Sequence, residues 1–416
     1  MGMAKREDSL LSRDVILVMI AAFFYMGSSM LVTSIVVGYS HRLGAGGELG
    51  GLIAGVMYIV SLVLRPMAGN LADRVPKRRL VGFGAACLIV ANVGYVIAPN
   101  AMLLMVARIV NGIGFSCVSV CLATWMVSLI PLAHVGKGMG LYGTVNALAM
   151  AIGPAVGIKV EQAFGYRGSF IISTVMVILM GVAVLLVRRG GNPTLVAVPV
   201  DAQRSSKRDD DTVSDRSHRR SRLRAILDHV VSVRAVPVTM VFMLFAIPYG
   251  ATQSYVVTYV RVRQLPVDVS LFFPCYAIAL LAMRIVMRDL FDRLSFAWFL
   301  GLCSISMIGS LGALTVMRND WILLVAAVLM AASYGLMSSV SQAAAVRLAG
   351  VGHGGQANAT YYVSIDLGMS LGPIVGGLLY AWLPTQWMFV SLMAFVPLAV
   401  AVYLAFGRRA ERELAS

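Results

Sequence analysis

Twelve apolar stretches, each long enough to cross a membrane, recur along the chain. A helix needs about 20 consecutive apolar residues to span ~30 Å of hydrocarbon, and it hydrogen-bonds its own backbone there. We number these predicted spans 1 to 12; they cover residues 15–39, 49–72, 79–98, 101–127, 138–160, 167–187, 236–260, 269–287, 296–316, 321–346, 356–381 and 386–407. Strict alternation of apolar and polar residues is absent. The sequence therefore predicts an all-α membrane protein with twelve transmembrane helices.

The basic residues are distributed unevenly around these spans. With the N-terminus in the cytoplasm, 26 of the 34 Lys and Arg residues fall in segments on the cytoplasmic side and five in outer loops. This asymmetry follows the positive-inside rule and predicts that both termini are cytoplasmic, in an inner (plasma) membrane. The net charge of +15 thus reflects topology in the lipid bilayer, and we expect no nucleic acid partner.

One long polar segment divides the spans into two sets of six. Residues 188–234 combine an acidic triplet with many basic residues and little apolar material, which is typical of a tether without fixed structure; contact with anionic lipid is the alternative. The predicted organisation is an N-terminal six-helix bundle (1–187), a cytoplasmic linker (188–234) and a C-terminal six-helix bundle (235–416).

The two sets of spans repeat each other at a constant offset. Residues separated by 219 positions match in two well-separated motifs. The matched pairs are Arg65 and Arg284, Leu71 and Leu290, Asp73 and Asp292, Arg74 and Arg293, Tyr142 and Tyr361, Gly153 and Gly372, Pro154 and Pro373, and Gly157 and Gly376. Internal repeats in membrane proteins are typical of transporters whose substrate site lies between the repeats.

The loop between spans 2 and 3 contains several charged residues. Gly69 allows a close helix approach, and Asp73 is placed where it can stabilise the N-terminus of a neighbouring helix. Arg74 and Arg78 hold the loop on the cytoplasmic side. An ordinary basic turn is the alternative interpretation.

Two charged side chains lie deep inside predicted spans. Arg108, in span 4, is costly in the membrane unless it is paired or hydrated, so it is a functional candidate; snorkelling to the interface is the alternative. Asp366, near the middle of span 11, shares a helix face with Tyr362 and Ser370. Such a carboxylate can bind and release a proton or pair with a cationic substrate, whereas a structural acid bonded to Tyr or Ser is the alternative.

Small residues and a proline recur in spans 5 and 11. Residues spaced four apart line one helix face and permit tight packing, and a proline bends or softens the helix. In span 11 this small face lies opposite Asp366. The residues concerned are Gly140, Gly153, Pro154 and Gly157 in span 5 and Gly368, Gly372, Pro373 and Gly376 in span 11.

These motifs resemble those of the Major Facilitator Superfamily. The loop after span 2 matches the family signature at Gly69, Leu71, Ala72, Asp73, Arg74, Arg78 and Leu80, with Pro76 in place of the usual Gly. Arg108, Asn111, Gly112 and Gly114 resemble its span 4 motif, with Asn111 in place of Gln. The resemblance implies two pseudo-symmetric six-helix bundles, a cytoplasmic gate formed by the loop, and a role for Arg108 in proton transfer.

The span 5 motif resembles that of the drug:proton antiporters of this superfamily. Ala149 and Ile158 depart from it at two Gly positions. The resemblance implies proton-coupled efflux of small amphipathic molecules, drugs or metabolites, with protons as the coupling partner. Proton-coupled uptake of a nutrient is one alternative, and a non-transporting sensor with the same fold is another.

Aromatic and uncharged polar residues on several spans are weaker candidates for a substrate cavity. With 25 Met residues in the chain, they suggest an adaptable pocket for amphipathic molecules. They are Tyr25, Trp125, Tyr142, Asn146, Tyr249, Gln253, Tyr334, Gln342 and Tyr362.

Catalytic and cofactor signatures are absent from the sequence. It has no Walker A run, no nucleophile elbow and no metal-ligand cluster, and its five Cys residues lie in apolar spans without accompanying His or acids. We therefore expect no cofactor, no metal and no enzymatic activity. The oligomeric state has no signature in the sequence.

Overall fold

The computed structural model describes residues 12–131, 134–189, 191–192, 232–287, 290, 294–350 and 354–407. Eleven helical stretches in this part of the chain are long and apolar enough to cross a membrane. Their bounds are Arg13–Arg42, Gly47–Arg74, Lys77–Ile97, Ala101–Leu129, Val135–Leu186, Val233–Val262, Val269–Val286, Phe296–Val316, Asp320–Ala349, Gly354–Trp382 and Thr385–Gly407. Most of the predicted linker, 193–231, and the repeat residues Asp292 and Arg293 lie outside the described residues.

The stretch Val135–Leu186 contains both span 5 and span 6. It is 52 residues long and breaks at Gly165, whose φ of 72° and ψ of 179° are not helical. Glycine adopts this backbone conformation at little cost. The chain reverses direction at this glycine. The evidence is that the Ser169 hydroxyl, after the break, donates to the Gly157 carbonyl, before the break, at 2.9 Å. The eleven stretches thus supply the twelve predicted crossings.

The internal repeat extends to the helix starts. The Asn100 side chain accepts a hydrogen bond from Leu103 N at the start of span 4, and Asn319 accepts one from Ile322 N at the start of span 10, both at 3.0 Å. Asn caps satisfy free backbone donors of a first helical turn. The two caps are separated by the same 219 positions as the other matched pairs.

The glycine motifs pack equivalent helices together in the two halves, which we define as spans 1–6 and spans 7–12. A methyl group added at Gly153 of span 5 would lie 2.5 Å from the Gly27 carbonyl oxygen of span 1. One added at Gly372 of span 11 would lie 2.6 Å from the Ile247 carbonyl oxygen of span 7. Each motif therefore lets two backbones approach too closely for any side chain.

Span 11 also packs against span 2 of the other half. A methyl group added at Gly55 would lie 2.5 Å from the Ser370 carbonyl oxygen, and one added at Gly47 would lie 2.7 Å from the Gly377 carbonyl oxygen. Gly51 approaches the Pro373 carbonyl oxygen still more closely. Span 11 thus joins its own half and the opposite half through two glycine-lined faces.

Two glycines expected in close packing are not closely packed here. A methyl group at Gly69 or at Gly140 would meet no atom of the described residues within 4 Å. The expectation that Gly69 serves a close helix approach is therefore wrong for this arrangement. Both residues lie near the end of the bundle at which span 2 ends and span 5 begins, and no described backbone of a neighbouring helix approaches them there.

We expect Gly372→Ala to lower the stability of the folded protein by about 1–3 kcal/mol, the usual cost of overpacking. Gly140→Ala is the matched control, because its methyl group meets no described neighbour and Ala favours the helix by up to about 1 kcal/mol. The measurement is the midpoint of thermal unfolding of each purified variant. Equal midpoints for the two variants would contradict the packing role of Gly372.

Candidate functional site

An ion pair joins the two halves of the molecule at mid-depth. Asp366 of span 11 is buried, with a side chain 1% exposed, and Arg65 of span 2 faces it. Arg65 Nε lies 2.6 Å from Asp366 Oδ2, and Arg65 Nη2 donates to Oδ1 at 3.1 Å. This two-point contact between a guanidinium and a carboxylate is the strong form of the interaction. Sequence analysis identified Asp366 but not its partner.

Two further contacts hold the guanidinium of Arg65. Its Nε also donates to Ser61 Oγ, one turn earlier in span 2, at 3.3 Å. Its carbon Cζ lies 5.6 Å from the centre of the Tyr362 ring, within the range of a cation–π contact. These contacts orient the charged group toward Asp366.

The second expected proton-coupling residue, Arg108, is buried and makes no hydrogen bond to Asp366 among the described residues. Its side chain is 0% exposed, so the snorkelling alternative is wrong. Arg108 Nε donates to the Ile53 carbonyl at 3.2 Å, and Nη2 donates to the Ala54 carbonyl at 2.9 Å. Arg108 therefore ties span 4 to the backbone of span 2. Its role in proton transfer stays a prediction.

Stacked aromatic rings lie on the C-terminal side of the ion pair. The Tyr249 and Tyr334 rings are parallel within 5°, with centroids 3.9 Å apart, and Tyr276 lies 5.5 Å from Tyr249. Tyr334 lies within electrostatic range of Asp366. Tyr58 of span 2 lies within range of both Asp366 and Arg65. The structure thus brings two predicted cavity residues, Tyr249 and Tyr334, close to the ion pair.

Tyr362 also borders the ion pair, through Arg65, and the remaining predicted cavity residues have contacts of their own. The Gln253 amide nitrogen lies 3.2 Å from Met30 Sδ across the two halves, whereas the Gln342 amide donates to Asn358 Oδ1 at 3.0 Å within one half. The Tyr25 hydroxyl donates to the Phe115 carbonyl at 3.1 Å. Tyr142 is buried and Asn146 half-buried, and Tyr362 is 45% exposed beside Arg65.

Trp125 is buried near the end of span 4, and its place in a substrate cavity stays a prediction. Its Nε1 donates to the Arg189 carbonyl at 2.9 Å, and Gly191 packs against its ring. The segment after span 6 therefore folds over the end of span 4. Backbone N–H groups of Arg188 and Arg189 bond Asp14 at the start of span 1, at 3.2 and 3.0 Å.

The charged loop after span 2 takes part in the same cluster through two of its residues. Lys77 N donates to the Gly191 carbonyl at 2.9 Å. Arg78 Nη2 donates to the Val187 carbonyl. Asp73 and Arg74 are exposed at the end of span 2. The gating role that the family resemblance implies for Gly69, Asp73, Arg74 and Arg78 stays a prediction.

A second set of bonds joins the halves at one end of the bundle. Span 1 begins at the opposite end, so we call this end the distal end. Lys159 Nζ lies 2.6 Å from Asp268 Oδ2. Arg261 bonds Glu161 and the Tyr166 hydroxyl, each at 2.6 Å. The remaining bonds run from Trp382 to Glu48 at 2.8 Å and from Tyr255 to the Gly47 carbonyl at 3.2 Å. Together these contacts close the distal end.

We expect acid to weaken the distal contact at Asp268. Partial burial alone would raise the pKa of Asp268, but hydrogen bonds from Lys159 and Ser270 lower it below its usual value. The ionised group thus favours the closed distal end above the ordinary aspartate pKa of about 3.9. That contribution is lost as the pH falls through the lowered pKa.

The measurement is the distance between spin labels on cysteines introduced at Pro99 and Arg318, two exposed distal positions in opposite halves. The distance distribution is expected to broaden as the pH falls below about 4. Asp268→Asn is expected to reduce this pH dependence, while the contacts of Glu161 and Glu48 at the same end remain. A distribution that changes equally with pH in both proteins would contradict the role of Asp268.

Within the described residues, no group of three or more His, Cys, Asp or Glu side chains could hold a metal ion. The groups that the structure brings together at mid-depth are the carboxylate of Asp366, the guanidinium of Arg65 and several aromatic rings. Such groups can bind protons and organic molecules. The signal that could have found Arg65 was present in the sequence, as a charged residue inside a span and a member of the repeat.

The sequence matches the Major Facilitator Superfamily over residues 17–318 and 276–416. The chain belongs to this superfamily. It is 22% identical to the uncharacterized MFS-type transporter YhhS of Escherichia coli over 389 residues, which is 91% of this chain and 89% of that protein. Membership makes the chain a multi-pass membrane transporter.

Solved structures with a similar fold include transporters of lower sequence identity. A peptide transporter POT in complex with sulfate is similar with a TM-score of 0.74 and 12% identity, over 96% of this chain and 94% of that one. A bacterial homologue of the human lysosomal transporter Spinster, inward-facing and unoccupied, gives a TM-score of 0.71 and 14% identity over 99% of both chains. At these identities the similarity shows the superfamily fold alone.

Proposed function

We propose that this superfamily member is a proton-coupled secondary transporter that exports small amphipathic molecules by alternating access. The observation that carries the proposal is the buried ion pair between Arg65 and Asp366. It connects helices of opposite halves at mid-depth, where transporters built from repeats place their substrate and coupling sites.

Proton binding at Asp366 removes the negative charge that holds Arg65. The bond between spans 2 and 11 then loses its ionic character. The two halves can adopt arrangements that differ in the distance between these spans. Protonation therefore changes the free energy of one arrangement relative to another. A proton that binds from one side and leaves to the other can in this way drive the two halves, 1–187 and 235–416, to rock around the central site.

Export is supported by the glycine and proline motif of span 5. In this chain Gly153 packs against the Gly27 backbone and Gly157 against Leu31, both in span 1. The motif resembles the one that proton-coupled drug exporters of the superfamily carry in this span. With both termini cytoplasmic in the inner membrane, as the basic residues predict, export would move these compounds out of the cell.

The test uses everted membrane vesicles from cells that produce the full chain. Ethidium, Nile red and anilinonaphthalene sulfonate serve as cationic, neutral and anionic amphipathic probes. Accumulation of any probe, driven by an acidic interior and abolished by a protonophore, is the expected result, since the lumen corresponds to the outside of the cell. Accumulation driven by the opposite gradient would establish uptake, and no gradient-dependent movement of any probe would favour a sensor.

A further inference from the structure

The two halves differ at one position of an otherwise repeated pair. Arg65 of span 2 corresponds to Arg284 of span 8 in the internal repeat, and Asp366 of span 11 corresponds, at the same offset, to Ala147 of span 5. Spans 5 and 8 contact each other across the halves, as spans 2 and 11 do. One side of the pseudo-symmetric interface thus has a cation with its counter-ion, and the other has the cation alone.

Arg284 has no ionic partner in the part of the chain that the structure describes. Its Nε atom is buried and makes no hydrogen bond to any described residue. Its helix neighbours Leu281 and Ile285 are exposed on the outer surface of the bundle. Arg284 itself is half-buried, and it shares a helix face with Leu280 and Tyr276, one and two turns earlier, which are buried.

The surroundings of Arg284 are aromatic and polar. Tyr276 and Tyr361 lie within its electrostatic range. Tyr361 stacks on Phe242 with ring centroids 5.2 Å apart, and its hydroxyl lies 2.7 Å from Ser338 Oγ. Tyr276 in turn contacts Tyr249 of the stacked pair. Arg284 therefore lies near the aromatic residues that extend toward the central ion pair.

An arginine inside a span is costly unless an anion or water compensates its charge. A buried donor with no partner adds to that cost. Position 147 supplies no carboxylate, so the half-buried guanidinium of Arg284, in the last turn of Phe272–Val286, is available to an anion from outside the described residues. The planar guanidinium matches a carboxylate or phosphate, which it can bind through two parallel hydrogen bonds.

We propose that Arg284 binds an anionic group of the transported molecule, a carboxylate or phosphate, while the adjacent tyrosines contact its apolar part. This inference rests on the proposed transport function and names its substrate class as anionic amphipathic molecules. The asymmetry of the repeat supports it: one half retains the counter-ion for proton coupling, and the other leaves its arginine open to the substrate.

The test measures binding without a proton gradient. Naphthalene acetate, naphthalene acetamide and naphthalene ethylammonium share an apolar body and differ in charge. Each is added to the purified full chain in neutral detergent, and its dissociation constant is taken from the shift in thermal unfolding. Naphthalene acetate is expected to bind most tightly. Arg284→Gln is expected to weaken its binding about tenfold or more, as loss of a charged hydrogen-bond partner does.

Two further variants separate charge from folding effects. Arg284→Lys keeps the positive charge and is expected to retain part of the preference for the acetate. Arg318→Gln removes an exposed distal arginine and is expected to bind all three probes as the unmodified protein does. Failure of Arg284→Gln to fold would leave Arg284→Lys to carry the comparison.

Two results would overturn the proposal. One is equal binding of the three probes, or of none, by the unmodified protein. The other is a lipid effect, in which phosphatidylglycerol nanodiscs stabilise the protein more than phosphatidylcholine nanodiscs do, this difference depends on Arg284, and the acetate has no effect. Arg284 would then bind a lipid headgroup. Because the binding test applies no proton gradient, loss of coupling at Asp366 leaves its result unaffected.

Discussion

Asp366→Asn is expected to reduce proton-driven accumulation in everted vesicles to the level of vesicles without the protein. The amide is nearly isosteric with the carboxyl group and can still accept a hydrogen bond from Arg65, so the fold is expected to persist. It cannot ionise, however, and therefore cannot carry a proton between the two sides. The measurement is the initial rate of probe accumulation after an acidic interior is imposed.

Exchange of probe at equal pH separates coupling from binding. Because Asn resembles the protonated carboxyl group, Asp366→Asn is expected to exchange external for internal probe when no gradient exists. Glu48→Gln is the matched control: Glu48 is an exposed acid that accepts a hydrogen bond from Trp382 at 2.8 Å, and Gln retains that acceptor. If Asp366→Asn accumulates probe as fast as Glu48→Gln, proton coupling at Asp366 is wrong.

Arg65→Gln is expected to destabilise the protein strongly. It leaves the buried carboxylate of Asp366 without its counter-ion, and removal of one partner of a buried ion pair typically costs about 3–5 kcal/mol. Asp366→Asn is expected to cost less, because Arg65 is 23% exposed and can reach water. The midpoint of thermal unfolding in detergent at neutral pH measures both effects.

The double variant decides whether the two side chains act as a pair. With both charges removed, no unpaired carboxylate remains, so Arg65→Gln/Asp366→Asn is expected to be more stable than Arg65→Gln alone. A double-mutant cycle isolates this coupling from the separate effects of each substitution. Additive losses from the two substitutions would show that the ion pair contributes no coupling energy and would remove the basis of the proposed proton switch.

Much of the fold could be predicted because its signals are local. Twelve apolar runs indicate twelve helices, since the membrane leaves the backbone of each run no other way to bond its polar groups. The constant offset of 219 residues predicted two related halves, and the caps at Asn100 and Asn319 show the same relation in the structure. Asp366 could be selected because a carboxylate inside a span is rare.

The contacts of those residues depended on the tertiary structure. The partner of Asp366 is 301 positions away, in a helix of the other half, and no local pattern specifies how two bundles face each other. For the same reason Gly69 and Gly140 could not be distinguished from Gly153 and Gly372 by spacing. Trp125 was assigned to a cavity because its helix was expected to line one, and only the structure shows that the segment after span 6 packs against its ring.

The sequence by itself determined how many times the chain crosses the membrane, its repeated plan and its one carboxylate well inside a span. Each of these follows from the cost of placing polar groups in hydrocarbon, which acts on every helix separately. Only the tertiary structure decided that Arg65 pairs with Asp366 and that Arg284 has no counter-ion among the described residues, because charges on separate helices interact only once packing has set the distance between them.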